Sequence, residues 1–363
     1  MGSTDHSVDR LIDLRRDLHR HPEPAWREFF TTARIVEELE RIGVDELYLG
    51  REAIEGDRHG VPERTELENW YDRALGAGAS PEVLSALKGG WTGAVAVLRQ
   101  GDGPVVGLRV DIDALPIEES SSPDHFPAAE GFRSETGAMH ACGHDAHATI
   151  GVGVLEAVKA SDFDGTLKLF FGLAEQLVAG GEPMAASNHL DDVEYFLAIH
   201  VGFDHPTGEV VAGLGGILAV NHFHATFTGA DAHAGIEPNV GRNAVQAAAA
   251  AIQNLYAIPR HKDGPTRVNA GVVGGGTASN IIAESAFIEG EVRGGTTALK
   301  DYMIEQADRI LRSAARMHDC EVSISTEGEA PSATCDDTLV DLVSATAAEV
   351  DGAKFDGFDL FLF

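Results

Sequence analysis

Pro104-Val-Val-Gly-Leu-Arg-Val-Asp-Ile-Asp113 is a β-rich run to Val110 with two acids just past it, and similar runs recur through the first half of the chain. Residues 92–98 precede it across a Gly-Asp-Gly turn, residues 146–158 carry a helical apolar pattern, and residues 166–171 and 195–199 are two more apolar strands. Strands alternating with a helix predict an α/β domain, a mixed β-sheet flanked by helices. Ligand chemistry in open α/β sheets gathers beyond the carboxyl ends of strands. The residues at those positions are Asp111, Asp113, Glu175 and His200.

Upstream, Leu11, Leu14 and Leu18 share one helical face, and Ile35, Leu39 and Ile42 share another before Gly43. Residues 48–90 are polar and rich in Gly, Glu and Arg with one short helical pattern, so they read as an insertion over the surface. Downstream, Phe223, Ala225 and Phe227 alternate with polar residues, an alanine-rich helix covers 244–255, and strands follow at 268–273 and 286–293. Met303, Ala307, Ile310, Leu311, Ala314 and Met317 then mark a helix, before Val322 and Ile324 alternate again. The order β-α-β-β-α-β predicts a ferredoxin-like unit inserted over residues 217–327. The expected domains are therefore a catalytic domain at 1–216, the inserted unit at 217–327, and a return to the first domain at 328–363, helical over 338–350.

A length of 363 residues suits two domains, and 44% hydrophobic residues suffice to build their cores. No stretch approaches the ~20 apolar residues of a membrane helix, and the N-terminus has no basic patch followed by an apolar run, so a soluble cytoplasmic protein is expected. The 58 acidic and 27 basic residues leave a charge of −31, with six lysines against twenty-one arginines. Such a field repels phosphate backbones and acidic membranes, excluding nucleic acid and membrane surfaces as partners. Acids spread along the whole chain with lysine scarce resemble the halophile style, in which high salt screens self-repulsion. Cys142, Cys320 and Cys335 are too few and scattered for a disulfide framework.

The densest polar cluster is Met139-His-Ala-Cys-Gly-His-Asp-Ala-His147, four candidate ligands in eight residues leading into a helix. A lone cysteine or histidine is ordinarily a packing residue; four together with flanking glycine and aspartate reverse that expectation. In a turn or strand the two-residue spacing of Cys142 and His144 sends both side chains to one side, within reach of one metal or of two sharing the thiolate. Glu175 and Gln176 follow the strand Leu167-Lys-Leu-Phe-Phe171, and His200 follows Tyr195-Phe-Leu-Ala-Ile199. A carboxylate beside a metal takes a proton from bound water and passes it to a leaving amine, which is a hydrolase layout.

Arg15-Arg-Asp-Leu-His-Arg-His-Pro-Glu-Pro, Leu108-Arg-Val-Asp-Ile-Asp-Ala-Leu-Pro, the cysteine cluster, His200-Val-Gly, Gly229-Ala-Asp-Ala-His-Ala-Gly and Asn280-Ile-Ile together resemble the amidohydrolase branch of the aminoacylase/carboxypeptidase-type dinuclear metallopeptidases. Tyr48-Leu-Gly-Arg-Glu and Gly89-Gly-Trp-Thr-Gly-Ala-Val-Ala-Val-Leu narrow the resemblance to members that cleave p-aminobenzoyl-glutamate. The resemblance implies hydrolysis of N-acyl or N-aroyl amino acids with up to two divalent ions per chain, zinc or manganese. A thiolate ligand favours zinc. It implies that Cys142, His144 and His200 are metal ligands, that Glu175 is the general base acting on a metal-bridging water, and that Asp111 supports the site from behind. His233 matches a lid histidine that stabilises the oxyanion from across a dimer interface, and Asn280 and Arg293 match residues that bind the substrate carboxylate. A guanidinium suits that role; the alternative for Arg293 is a surface strand residue paired with Glu291 or Glu289. A homodimer through the inserted unit, or a second hydrolase subunit, is the implied partner.

Two departures from the family pattern stand out. The base motif Gln-Pro-Ala-Glu-Glu-Gly is here Gly172-Leu-Ala-Glu-Gln-Leu177, so Gln176 occupies the position of a metal-ligating carboxylate and a weakened second metal site is expected. The chain also ends in Gly357-Phe-Asp-Leu-Phe-Leu-Phe, near where the family's Gly-Ser-Glu-Asp motif begins, ahead of its last strand, helix and histidine ligand. A truncation, a shifted reading frame or a degenerate copy would each account for that ending. Both features keep a rival reading open, a catalytically impaired homologue that binds substrate or a partner subunit without turnover.

Overall fold

The computed structural model describes residues 2–202, 205–350, 354–355 and 358–360. By internal packing the chain divides into two compact units, Met1–Asp204 and His205–Phe363. The first contains, in order, α1 (Gly2–Arg20), α2 (Phe29–Ile42), β1 (Glu46–Leu49), α3 (Arg64–Gly76), α4 (Pro81–Ala86), β2 (Ala94–Arg99), β3 (Val105–Asp111), α5 (Phe126–Ala129), α6 (His144–Lys159), β4 (Thr166–Gly172), α7 (Gly181–Ala185) and β5 (Tyr195–Ala198).

Its five strands form one mixed sheet in the order β1-β2-β4-β3-β5, with β3 parallel to β4 and β5 and β2 antiparallel to β1 and β4. The Gly101-Asp102-Gly103 turn therefore joins strands that are not neighbours, because β4 lies between them. Strand alternation divides the apolar residues between the two faces. Ala94, Ala96, Leu98, Leu167, Leu169 and Phe171 pack with Leu14 and Leu18 of α1, Ile35 and Leu39 of α2 and Val152 and Leu155 of α6. Val95 and Phe170 face the opposite side, against Trp26, Ile54, Leu173, Ala174 and Met184. β5 closes one edge with Tyr195 and Phe196 exposed.

Residues 48–90, expected to carry one short helical pattern, remain largely exposed or half-buried and carry more structure than that. The segment carries two helices, α3 and α4, and β1 before it reaches into its first residues and adds an edge strand to the sheet. Leu67, Ala74, Ala79, Val83, Leu84 and Leu87 bury against Phe29, Phe30, Ala33 and Val36 of α2, so the segment builds a core of its own.

The second unit begins with short strands β6 (Glu209–Val210) and β7 (Gly213–Gly215). It continues through β8 (Ala219–Thr228), β9 (Ala232–His233), α8 (Ala244–Leu255), β10 (Thr266–Gly275), β11 (Ile281–Ile282), β12 (Ser285–Gly294), α9 (Thr297–Met317), β13 (Glu321–Ala330) and α10 (Asp337–Ala347), ending in β14 (Lys354–Phe355) and β15 (Phe358–Leu360). The long strands form an antiparallel sheet in the order β10-β12-β8-β13, with β9 and β11 paired beside it. The β-α-β-β-α-β order expected for this segment is thus present, β13 running to Ala330. Phe223, Ala225, Phe227, Ile288 and Val292 pack beneath the alanine face of α8 and Met303, Ala307 and Leu311 of α9. Asn243 and Thr296 cap the two helices by accepting from the N–H groups of Gln246 and Leu299. After β13 the chain pairs back along its own 209–215 stretch, β14 with β6 and β15 with β7, both parallel. Gly357, where the further family motif was placed, lies outside the described residues. Among the described residues no helix is long and apolar enough to cross a membrane, and Cys142, Cys320 and Cys335 are all free thiols.

Candidate metal centre

β3 ends at Asp111, and Asp113 follows two residues later with fully buried Ile112 between them. That spacing turns both carboxylates towards the start of α6. The helix opens at His144 after Gly143, whose left-handed φ of 80° lets the chain turn sharply from Cys142 into the first helical turn. A Cβ on Gly143 would lie 2.6 Å from Val201 beside His200, so glycine is required there for space as well as for φ.

His144 is the hub. Three sets of ligand atoms, each lying within 4.8 Å of one another, share it: Cys142–His144–His200, Asp111–His144–His147 and Asp113–His144–Glu175. Its Nδ1 is 2.9 Å from the Asp113 carbonyl and 3.0 Å from Asp113 Oδ1. Its Nε2 is buried without a hydrogen-bond partner and faces Glu175 Oε2 at 3.6 Å, too far for a hydrogen bond. A proton on Nδ1 given to Asp113 leaves Nε2 as an open lone pair, the geometry of a metal-ligating histidine oriented from behind. Cys142 Sγ lies 3.3 Å from His200 Nε2.

The electrostatics favour a cation. The adjacent His144 and His200 rings bring the Cys142 thiol down to about 6, so the thiolate is available at neutral pH. Burial opposes charge on His144, but the Asp113 carboxylate and Cys142 outweigh it and push the ring up to about 10, so the pocket favours positive charge at Nε2, and a divalent ion held there would displace the Nε2 proton. Burial, with Asp111 and Asp113 adding repulsion, pushes Glu175 up to about 7, near the value suited to a general base at neutral pH. Burial also raises the Asp111 carboxyl, against the pull of the Arg109 guanidinium. An open buried nitrogen, an ionisable thiolate and surrounding carboxylates fit a divalent ion, which Cys142, His144 and His200 would hold with Asp111 and Asp113 behind them.

Of the remaining members of the cysteine motif, His147 has a buried, unpartnered Nδ1 within the Asp111–His144–His147 set, and it also orders the backbone. His147 Nε2 accepts the Val201 N–H at 2.9 Å and so positions the backbone after His200, and burial takes that ring down to about 3. His140 is buried and in none of the three sets; burial takes it down to about 4. Asp145 accepts from His19 Nδ1 at 2.7 Å and forms an ion pair with Arg15 Nε at 2.9 Å, which ties α1 to the first turn of α6 beside His144. The Arg15–Pro24 motif acts in support, since Glu23 accepts the N–H groups of Phe30 and Thr31 in the first turn of α2.

Of two further supports, only Asp113 had a signal in the sequence. Glu28 Oε1 accepts the Ala174 N–H and Asp113 Oδ2 accepts the Gln176 N–H, both at 2.8 Å, so a buried carboxylate holds the backbone on each side of Glu175. Ala174 is held there at φ 47°, a left-handed conformation that costs a non-glycine residue roughly 1 kcal/mol or more. The Asp111-Ile-Asp113 alternation hints at Asp113, but nothing near Glu28 points to a site 146 residues away. Gln176 lies beside Cys142 and helps to lower its thiol, and its Nε2 is buried with no acceptor at hydrogen-bond distance.

The other candidate residues belong to the second unit. His233 is exposed on β9, paired with Ile281, and the neighbouring Ala234 N–H bonds the Asn280 carbonyl at 3.0 Å, so His233 and Asn280 sit together. Arg293 is at the other end of the β8/β12 ladder, bidentate on Glu291 at 3.0 and 2.8 Å. The Glu291 pairing is thus the one the structure shows for it.

Residues 107–357 match the family model described as Peptidase family M20/M25/M40. The chain is 41% identical over 352 residues to indole-3-acetyl-aspartic acid hydrolase of Enterobacter agglomerans, covering 96% of this chain and 80% of that protein. It is 39% identical over 350 residues to a p-aminobenzoyl-glutamate hydrolase subunit of Escherichia coli (strain K12), covering 95% and 80%. The crystal structure of aminobenzoyl-glutamate utilization protein from Klebsiella pneumoniae superposes with a TM-score of 0.85 at 34% identity, covering 99% of this chain and 86% of that one. With this match along nearly its whole length, and with the thiolate, histidines and carboxylates gathered around His144, the chain belongs to Peptidase family M20/M25/M40.

Proposed function

We propose that this protein is a metal-dependent amidohydrolase that cleaves the amide bond between an acyl or aroyl group and an amino acid. The observation that carries the reading is the open, buried Nε2 of His144, grouped with Cys142 and His200 on one side and with Glu175 on the other. When bound, a divalent ion supplies Lewis acidity at the amide carbonyl and acidifies water. Glu175 then takes the proton of the attacking water and delivers it to the leaving amine, while Glu28 and Asp113 fix the loop that carries it. The thiolate favours zinc over manganese. The relatives at 41% and 39% identity are named for indole-3-acetyl-aspartic acid and p-aminobenzoyl-glutamate, each an aromatic acyl group on an acidic amino acid, and the same class is proposed here.

Residues 217–327 are proposed to serve as a lid and dimerisation domain, with His233 stabilising the oxyanion and Asn280 and Arg293 binding carboxylate. β10 is an open sheet edge with Val272 and Val273 exposed, a surface suited to a second copy. Arg293 lies near the last residue of the ten-residue β12 strand and Asn280 lies before its first, a separation that supports a site to which two copies contribute. The Escherichia coli relative is named as one subunit of its hydrolase, which makes a second hydrolase subunit the other partner class. A cytoplasmic, salt-rich setting fits the composition.

Release of p-aminobenzoate from p-aminobenzoyl-glutamate in molar KCl, with zinc or manganese and after chelation, tests the reading. Metal-dependent release supports it. Bound metal without release supports the impaired-homologue reading, which the unpartnered Gln176 amide favours.

A further inference from the structure

The segment 48–90 carries an arrangement that the metal centre does not use. Arg51 Cζ lies 3.9 Å and Arg58 Cζ 3.7 Å from the centroid of the Trp91 ring. Two guanidinium carbons this near one centroid cannot occupy the same face without overlapping, so the indole is sandwiched between them. Arg58 is fixed, since its Nη1 donates to the carbonyls of Gly89 and Gly90 at 3.0 and 2.9 Å and its guanidinium also lies over Trp26. Arg51 is exposed, and its N–H donors have no hydrogen-bond or ion-pair partner among the described residues.

Among the described residues neither guanidinium has a carboxylate partner, in a chain with 58 acids and 27 bases. Elsewhere single arginines collect two or three: Arg10 pairs with Glu38 and Glu156, and Arg34 with Asp17, Glu37 and Glu38. Glu52, Glu55 and Asp57 lie in the same short stretch and still leave Arg51 and Arg58 unpaired. Burial, with repulsion from Arg51, brings the Arg58 guanidinium down to about 10, a cost that an anion at the stack would relieve.

The stack and the loop that carries Glu175 share one apolar cluster. Trp91 and Leu177 pack on the same cluster as Leu173 and Ala174. The residue after Trp91, Thr92, donates its hydroxyl to Glu28, and Glu28 holds the Ala174 N–H next to Glu175. With both faces of Trp91 covered, an aromatic acyl group has no ring to stack on there; the edges of the guanidinium groups remain, and they are donors for an anion.

We propose that the Arg51–Trp91–Arg58 stack is a specificity subsite that binds the side-chain carboxylate of an N-acyl dicarboxylic amino acid. This rests on the reading of the metal centre as that of an N-acyl amino acid hydrolase. The stack then sets the preference for acidic over neutral amino acids, and the segment 48–90 exists in part to deliver it.

The test compares N-benzoyl-glutamate with N-benzoyl-glutamine, which share size and α-carboxylate and differ in side-chain charge, at one fixed salt concentration. Arg51→Ala is expected to lower kcat/KM for the glutamate substrate ~10- to 100-fold, mainly through KM, and for the glutamine substrate less than ~3-fold. Arg51→Lys should recover only part of the loss. Equal losses on both substrates, or no loss on either, overturn the proposal. If the metal-loaded wild type hydrolyses neither substrate, the amidohydrolase reading fails separately. Quenching of tryptophan fluorescence by N-acetyl-glutamate against N-acetyl-glutamine then decides the subsite without turnover. Selective quenching that Arg51→Ala removes upholds it, and quenching that is unselective or indifferent to Arg51 overturns it.

Discussion

Gln176 places a neutral amide where its relatives' pattern has a carboxylate, next to Cys142 and with its own Nε2 unpartnered. A carboxylate there adds charge at a cation site, so Gln176→Glu is expected to tighten binding of a second divalent ion by ~10-fold or more in calorimetric titration. Unchanged affinity and stoichiometry would show that the amide is not what limits the site. Glu23 gives a separate prediction. Burial pushes it up to about 8, so the folded chain keeps a proton that the unfolded chain loses near the ordinary value of 4.5. Its contribution is complete below that value and declines as pH rises through about 8, by at most about 1.4 kcal/mol per pH unit. Between pH 5 and 8 the stability of the wild type should therefore fall relative to Glu23→Gln; parallel profiles in denaturant titrations would contradict this. Cys142, His144, Glu175 and His200 were legible because their chemistry is written in their side chains. Glu28 and Asp113 act through backbone N–H groups far along the chain, and no local pattern encodes that.

The sheet and both alanine- and leucine-faced helices of the second unit could be read from periodicity, and the helix expected at 244–255 is the one observed. The segment 48–90 could not, because α3 buries only Leu67 and Ala74 and the apolar positions of α4 are spread over a single turn and a half. Their burial is decided by Phe29 and Phe30 of α2, which lie outside the segment. If the segment is a true core, Leu84→Ala, at a fully buried position, should cost about 2–5 kcal/mol in denaturant titrations. A surface covering would lose less than ~0.5 kcal/mol. Strand neighbours were likewise hidden, since β2 and β3 are adjacent in sequence and separated by β4 in space.

Across the whole molecule the charge of −31 opposes compaction, and salt shortens the reach of that repulsion from ~10 Å at 0.1 M to ~3 Å at 1 M. The thermal midpoint should rise between 0.1 M and 2 M KCl, and a midpoint that falls or stays level would remove the halophilic reading. In molar salt, sedimentation should give a dimer that Val273→Lys on the open β10 edge dissociates; a monomeric wild type would remove the shared-site role of His233 and Arg293. The central claim is that Glu175, beside a metal held through His144, performs amide hydrolysis. Its most direct test is p-aminobenzoyl-glutamate turnover by metal-loaded wild type and Glu175→Gln, with metal content measured on the same samples. The account predicts equal metal in both and turnover at least ~100-fold lower in the variant. Turnover that survives Glu175→Gln, or that persists after the metal is removed, would contradict it.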